Sequence, residues 1–415
     1  MLGLLGAAFT GSALALTAAA RMLARVPLVP QSSPRARPDQ HVRAVHADRI
    51  HLDATDEARR EGFFAFRQGV DTVHVRLGAV TGHPTPTTVS RELLAVDTDR
   101  GPEVGPARSN GFYWSGDPRT AHGLEFTDVQ VDSPVGPMPA WCVPADPQVA
   151  EQQGTDGIWT VLVHGHGATR GETLRVLPLL HRLGLTSLAI TYRNDAGATP
   201  SADRMHHLGA DEWEDADAAI AHALAAGARE VILFGWSMGG GIALRTAVLS
   251  PHRDRIRALV LDSPAIDWQD ILTYHAAQVR APAPLRRLAL WMMSSPLGAR
   301  LVRLHEPIAL HEMRPDFYAE HLVHPTLLTH ALEDTTVPPA PSRYLAEARP
   351  DIIHFEGYPG ASHTREWNRD GARWEHAVAQ FLIRTLALPG DPETLTYPTR
   401  RPDSPPLEGS TGQRL

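Results

Sequence analysis

The sequence predicts an α/β fold: a mostly parallel central sheet with helices on both faces, a helical cap insertion and an extra N-terminal β-rich region. Three observations carry this reading. After Gly157, short apolar runs alternate with stretches of helical periodicity, the pattern of βαβ units. One such run turns directly into a helix through Gly235-Trp236-Ser237-Met238-Gly239. Before Gly157 the style differs: short alternating segments are separated by Gly, Pro and Asp.

In chain order, residues 1–20 carry no side-chain charge and are followed by Arg21 and Arg25. About twenty uncharged residues is the length of a bilayer span. Residues 1–25 are therefore read as a membrane anchor, with the membrane as a partner through residues 1–20. The two arginines favour the cytoplasmic side for the body of the protein. A cleaved signal peptide, and so a secreted protein, is the competing reading, and a buried arm is another. Residues 26–47, rich in Pro and Arg, read as a linker. Residues 48–125 form the β-rich region, where residues 72–77 and 88–90 alternate.

The main domain is expected over residues 126–387. Strands are expected at 126–131, 138–143, 158–163, 185–192, 231–234, 256–261, 326–329 and 352–355. Helices fit 170–183, with Pro178 as a kink or late start, then 211–226 and 240–249. Trp374, Ala377, Val378, Phe381 and Leu382 form the stripe of a closing helix. Between about 266 and 321 no strand alternates with helix, so this stretch reads as the cap. Trp291, Met292 and Met293 within it are candidates for an acyl pocket, with ordinary cap packing as the alternative. The tail, 388–415, is Pro-rich and polar and reads as disordered.

Composition narrows the chemistry. The net charge is −8, and mild acidity argues against nucleic acid as a partner. All 39 positive residues are arginine. Without lysine there is no Schiff base and no P-loop lysine. The single cysteine, Cys142, allows no internal disulfide and no cysteine-based zinc site, and reads as strand packing. Serine, histidine and carboxylates are left to act.

Ser237 is the candidate nucleophile. A strand that turns at once into a helix forces the serine into a strained conformation and exposes its hydroxyl. Side chains at 235 and 239 would collide there, which is why Gly235 and Gly239 flank it. The bland reading is a tight turn with a capping serine. A nucleophilic serine needs a base, itself oriented by an acid. In the chain order Ser, acid, His, Asp334 follows a late strand, with Glu333 as a weaker substitute. Asp262 is a second candidate acid, although Asp262-Ser263-Pro264 fits a turn better. Asp334 could alternatively cap the helix after Pro338. His363 lies in the Gly-containing loop before the closing helix. For the oxyanion hole the backbone N–H groups of Met238 and His166 are the candidates. His164 and His166 also have an H-x-H spacing, but no Asp or His nearby completes a metal site. No metal and no cofactor are expected.

His164-Gly165, the Ser237 elbow, Asp334 before Val337-Pro338, and His363 resemble the α/β-hydrolase superfamily over roughly residues 126–387. Further stretches resemble a group of actinobacterial, membrane-anchored α/β hydrolases of unassigned substrate. These are Gly136-Pro137-Met138-Pro139-Ala140-Trp141, Tyr192-Arg193-Asn194-Asp195, Glu212-Trp213-Glu214-Asp215 and His363-Thr364-Arg365-Glu366-Trp367-Asn368. Ala331 departs from the glycine many relatives carry in the turn before the acid. The resemblance implies an α/β-hydrolase fold and a serine esterase acting on a small-molecule acyl substrate. A peptidase, thioesterase or acyltransferase on the same three residues is the alternative, and a non-catalytic scaffold is another. The arrangement also resembles prolyl-oligopeptidase-like and serine aminopeptidase enzymes, but about 100 residues before the domain cannot build the propeller usual in a proline-cleaving peptidase, so peptidase activity is the second reading. Oligomeric state is not legible.

Overall fold

The computed structural model describes residues 2–30 and 38–392, with the first helix given by its backbone alone up to residue 13. The linker at 31–37 and the tail beyond 392 lie outside the described residues.

Two β-structures share the chain. The first is a closed antiparallel barrel of six strands: β1 (Gln40–Val45), β2 (Arg49–Asp53), β3 (Phe64–Gln68), β4 (Val73–Thr81), β5 (Thr88–Val96) and β6 (Gly105–Asn110). Their order around the barrel is β1-β2-β5-β4-β3-β6. The alternation read in the sequence is the alternation of inside and outside. Val42, Ile50, Leu52, Phe66, Val75, Leu77 and Val89 fill the interior. Arg91 is also buried, which would be costly without partners. Its guanidinium donates to the carbonyls of Ala58, Arg60, Gly62 and Gly78. Burial nevertheless pulls its pKa down to about 10. Strand β1 begins inside the stretch read as linker, so the barrel starts earlier than 48.

The second structure is an eight-stranded sheet made of β7 (Thr127–Ser133), β8 (Gly136–Val143), β9 (Ile158–Val163), β10 (Thr186–Ile190), β11 (Glu230–Trp236), β12 (Ile256–Asp262), β13 (Thr326–Ala331) and β14 (Ile353–Tyr358). Their order is β14-β13-β12-β11-β9-β10-β8-β7. From β10 to β14 all pairs are parallel, and β8 and β7 add an antiparallel edge. Parallel strands are covered on both faces, so they read as continuous apolar runs; β11 and β13 are buried throughout almost their whole length. One helical face buries Ile220, Ile242 and Leu244, and the other buries Leu177, Trp374 and Leu382. Cys142 lies in β8, half-buried, where burial pushes its thiol pKa up.

The stretch between β12 and β13 is helical, as expected of the cap: Trp268–Gln278, Ala283–Ser294, Pro296–Val302 and Pro315–His321.

The N-terminus corrects the membrane reading. Residues Leu2–Arg25 do form a helix, but no helix among the described residues is long and apolar enough to cross a membrane. Ala, Gly and Thr dilute its leucines. Its second half is occupied by protein contacts. It packs on the cap helices Ala283–Ser294 and Pro296–Val302, and Ala20, Ala24 and Leu28 are fully buried. Arg21 and Arg25 donate to the carbonyls of Leu301 and Val302. The anchor, and the cytoplasmic-side placement built on it, are therefore withdrawn.

Candidate active site

Strand β11 ends at Trp236 and a helix, Met238–Leu249, begins at once. Ser237 between them sits at φ 52° and ψ −119°, a left-handed conformation that L residues rarely adopt. Its flanking glycines are steric necessities. A Cβ on Gly235 would lie 2.3 Å from the carbonyl oxygen of Gly239. A Cβ on Gly239 would lie 2.1 Å from that of Val163 and 2.5 Å from that of His164. The elbow is thus wedged against the end of β9. Its backbone is fixed by Ser237 N–H donating to the Asp262 carbonyl at 3.0 Å.

Three residues from three strand ends meet here. His363 Nε2 is 2.8 Å from Ser237 Oγ, and His363 Nδ1 is 2.6 Å from Asp334 Oδ2. The second oxygen of Asp334 accepts the backbone N–H groups of Thr336 and Val337 at 2.7 and 2.9 Å. Burial pushes the Asp334 carboxyl up, but contacts with His330 and His363 and the Val337 amide outweigh it. The carboxyl is held well below the usual range. His330 Nε2 lies 3.5 Å from Asp334 Oδ2.

The other candidate acids do different things. Glu333 accepts the Gly360 N–H at 2.8 Å and so braces the loop that carries His363. Asp262 is fully buried, and its carboxyl accepts from Trp374 Nε1 at 3.1 Å. Burial and the neighbouring Glu366 push it well above the usual range. It touches the backbone of Ser237 and not His363. Ala331 fits its turn without a glycine: its carbonyl accepts the Asp334 N–H at 3.3 Å.

The loop after β9 lies alongside the elbow. A Cβ on Gly165 would be 3.1 Å from that of Ser237. Buried Glu172 accepts the Gly165 N–H at 2.8 Å, and the Tyr192 hydroxyl donates to the Gly165 carbonyl at 2.9 Å. His164 is fully buried, stacks on Tyr192 and contacts Asp195 at 2.8 Å. Burial works against its charge, but Asp195 and the Gly165 carbonyl raise its pKa. The His166 ring turns away, with Nε2 3.0 Å from the Pro27 carbonyl. Burial and the nearby His206 push its pKa down to about 4. The H-x-H rings therefore point to different partners and do not converge on an ion. The backbone N–H groups of His166 and Met238 meet no acceptor among the described residues.

Beside this loop a cleft of about 750 Å³ opens between barrel and sheet. Asn110, Phe112, Trp114, Trp141, Arg170 and Arg365 are among its lining residues, and Ser237, Met238, His166 and His363 are not. Trp291, Met292 and Met293 are not among its lining residues. The two methionines are buried in the same core as Ala20 and Ala24 of the N-terminal helix, and Trp291 is partly exposed. An apolar stripe on a cap helix looks the same in sequence whether it faces ligand or protein. Here it faces protein. Tyr192 and Asp195 belong to a stretch singled out in the sequence, but Glu172 and His330 carried no sequence signal of their own, since the bond each makes is set by the fold of the turn around it.

Residues 160–405 match the alpha/beta hydrolase family, and residues 41–110 match a domain of unknown function. Among solved structures, a Mycobacterium tuberculosis puromycin-hydrolysing peptidase is similar at 20% identity. That match covers 82% of this chain and 51% of the peptidase, with a TM-score of 0.50. A Pyrococcus furiosus esterase is similar at 18% identity over 66% of this chain and 94% of its own, with a TM-score of 0.49. A thermophilic esterase from Thermogutta terrifontis is similar at 16% identity over 62% of this chain and 99% of its own, with a TM-score of 0.41. Likeness at such identities concerns the fold. The family match extends over more than half of the sequence, and this chain belongs to the alpha/beta hydrolase family.

Proposed function

We propose that this protein is a serine hydrolase that cleaves a carboxylic ester, or a related acyl bond, through a covalent acyl-enzyme. The observation that carries the reading is the pair of contacts joining Ser237, His363 and Asp334 at 2.8 and 2.6 Å. In this reading His363 takes the Ser237 proton as Oγ attacks the acyl carbonyl carbon. Asp334, kept ionised, holds the ring and stabilises the imidazolium. The free N–H groups of Met238 and His166 receive the oxyanion. His363 then protonates the leaving group, and water, deprotonated by the same ring, releases the acyl group.

A fluorophosphonate probe tests the nucleophile. Wild type should label and Ser237→Ala should not, with turnover lower by on the order of 10⁴–10⁶. Equal labelling of the two would refute the assignment. A panel of acyl esters run beside aminoacyl amides then separates esterase from peptidase.

A further inference from the structure

Outside this site, a second cluster of ionisable side chains joins the cap to the loop between β10 and the helix Trp213–Ala225. It comprises Asp203, His207, Asp211 and His305. The two imidazole rings lie 4.4 Å apart at 34°. Asp203 Oδ2 is 2.8 Å from His207 Nε2 and 2.9 Å from His305 Nδ1, both aligned as hydrogen bonds. The same oxygen accepts the His305 backbone N–H, and the other accepts from Ser201 Oγ and the Met205 N–H. One well-satisfied carboxylate thus holds both rings. With protons on those two nitrogens, His207 Nδ1 and His305 Nε2 present lone pairs.

Both lone-pair nitrogens lie 3.1 Å from one oxygen of Asp211. His207 Nδ1 and Asp211 Oδ2 are buried and have no hydrogen-bond partner among the described residues. In this tautomer the three atoms repel unless a cation stands between them; doubly protonated rings, favoured by the pull of Asp203 and Asp211 on His207, are the ion-pair alternative. Around a tetrahedral zinc ion with bonds of ~2.0–2.1 Å, neighbouring ligand atoms are roughly 3.3 Å apart. The two His–Asp211 spacings are close to that. A carboxylate that orients ligating histidines through their other nitrogen is the usual outer shell of such a centre. Two imidazoles and a carboxylate also suit zinc-class ions better than magnesium or calcium. Arg25 and Arg193 are the nearby cations, and Glu212 adds a third carboxylate to the group.

We propose that His207, His305 and Asp211 bind a divalent cation of the zinc class, with Asp203 orienting both histidines. His305 is partly exposed, which leaves a fourth position open to water. The ion would pin the cap to the loop that carries His206, whose ring packs against His166 at 4.9 Å. Its role is therefore structural, and it takes no part in the acyl transfer proposed above.

The test uses the full chain stripped of metal and titrated with Co²⁺ and Zn²⁺. Wild type should take up one equivalent, show the intense visible bands of four-coordinate Co²⁺, lose them to Zn²⁺, and melt higher with Zn²⁺. His305→Gln and Asp211→Asn should lose the bands and the shift while keeping the wild-type circular dichroism spectrum. If wild type takes up no ion at micromolar concentration, the four side chains form an ion-pair cluster and the proposal fails. If both variants bind as wild type does, the ion sits elsewhere and the proposal fails equally. Neither result bears on Ser237 labelling.

Discussion

Ser237 holds a backbone conformation that costs on the order of 1–3 kcal/mol, and the surrounding contacts maintain it. Asp262 supplies one such contact through its carbonyl. Burial and the neighbouring Glu366 carboxyl push its own carboxyl well above the usual range. Asp334 lies in the opposite situation, ionised and surrounded by donors. The two carboxylates should therefore respond differently to loss of charge. Asp334→Asn is expected to lower turnover by on the order of 10⁴, because an amide cannot hold the His363 ring in the working tautomer. Asp262→Asn should keep turnover within about tenfold, because that carboxyl touches no reacting group. Ester hydrolysis rates of the two purified variants check this, and equal losses would remove the distinction. The sequence alone named Ser237, Asp334 and His363, because strand, turn and chain order constrain those positions. It could not tell Asp334 from Glu333 by chemistry. Only the fold aims Glu333 at the Gly360 amide.

Among the elements, the loop after β9 is held from several sides. Glu172 and Tyr192 fix Gly165, and Arg175, in the short 3-10 helix Arg170–Arg175 with Glu172, donates to the Thr364 carbonyl beside His363. Three of the stretches singled out in the sequence are braces of this kind. Tyr192 and Asp195 hold the Gly165 loop, Asp215 receives Arg193, and Glu366 receives the Ser263 hydroxyl. His166 contributes a pH dependence of its own. Its folded pKa of about 4 lies below the roughly 6.5 of an unfolded histidine. The unfolded chain therefore binds the extra proton first. Stability from this residue is intact above about pH 6.5, falls as pH drops, and is fully lost near pH 4. The slope is at most about 1.4 kcal/mol per pH unit. Urea unfolding of wild type and His166→Asn at several pH values between these limits should show a shallower slope in the variant. Parallel slopes would assign the effect to another group.

The whole molecule is a hydrolase domain braced from outside. The barrel docks beside the His363 loop: Asn368 exchanges hydrogen bonds with Phe63 at 2.7 Å in both directions, and a Cβ on Gly62 would strike the Asn368 carbonyl. From the opposite end the N-terminal helix covers the cap. The strand of chain after it offers the Pro27 carbonyl to His166 and the Leu28 carbonyl to the His206 N–H. Removal of residues 1–30 should thus expose the cap helices Ala283–Ser294 and Pro296–Val302 and release the His166 loop. The truncated protein is expected to melt lower by roughly 5 °C or more and to lose kcat/KM. A truncated chain with unchanged melting and unchanged kcat/KM would show that the arm is dispensable.

Sequence by itself determined the α/β fold, the β-rich region in front of it, the cap and the three residues that meet at the elbow. Each of these is written in local periodicity or in the sterics of neighbouring residues. Tertiary structure decided what the apolar surfaces face. The N-terminal run has the length of a membrane span, yet it closes on the cap, and the cap methionines are buried in the core and do not line the cleft. Apolar periodicity reports that a face is buried and is silent about its partner. The convergence of His207 and Asp211 with His305, about a hundred residues later, was likewise invisible until folding brought the segments together.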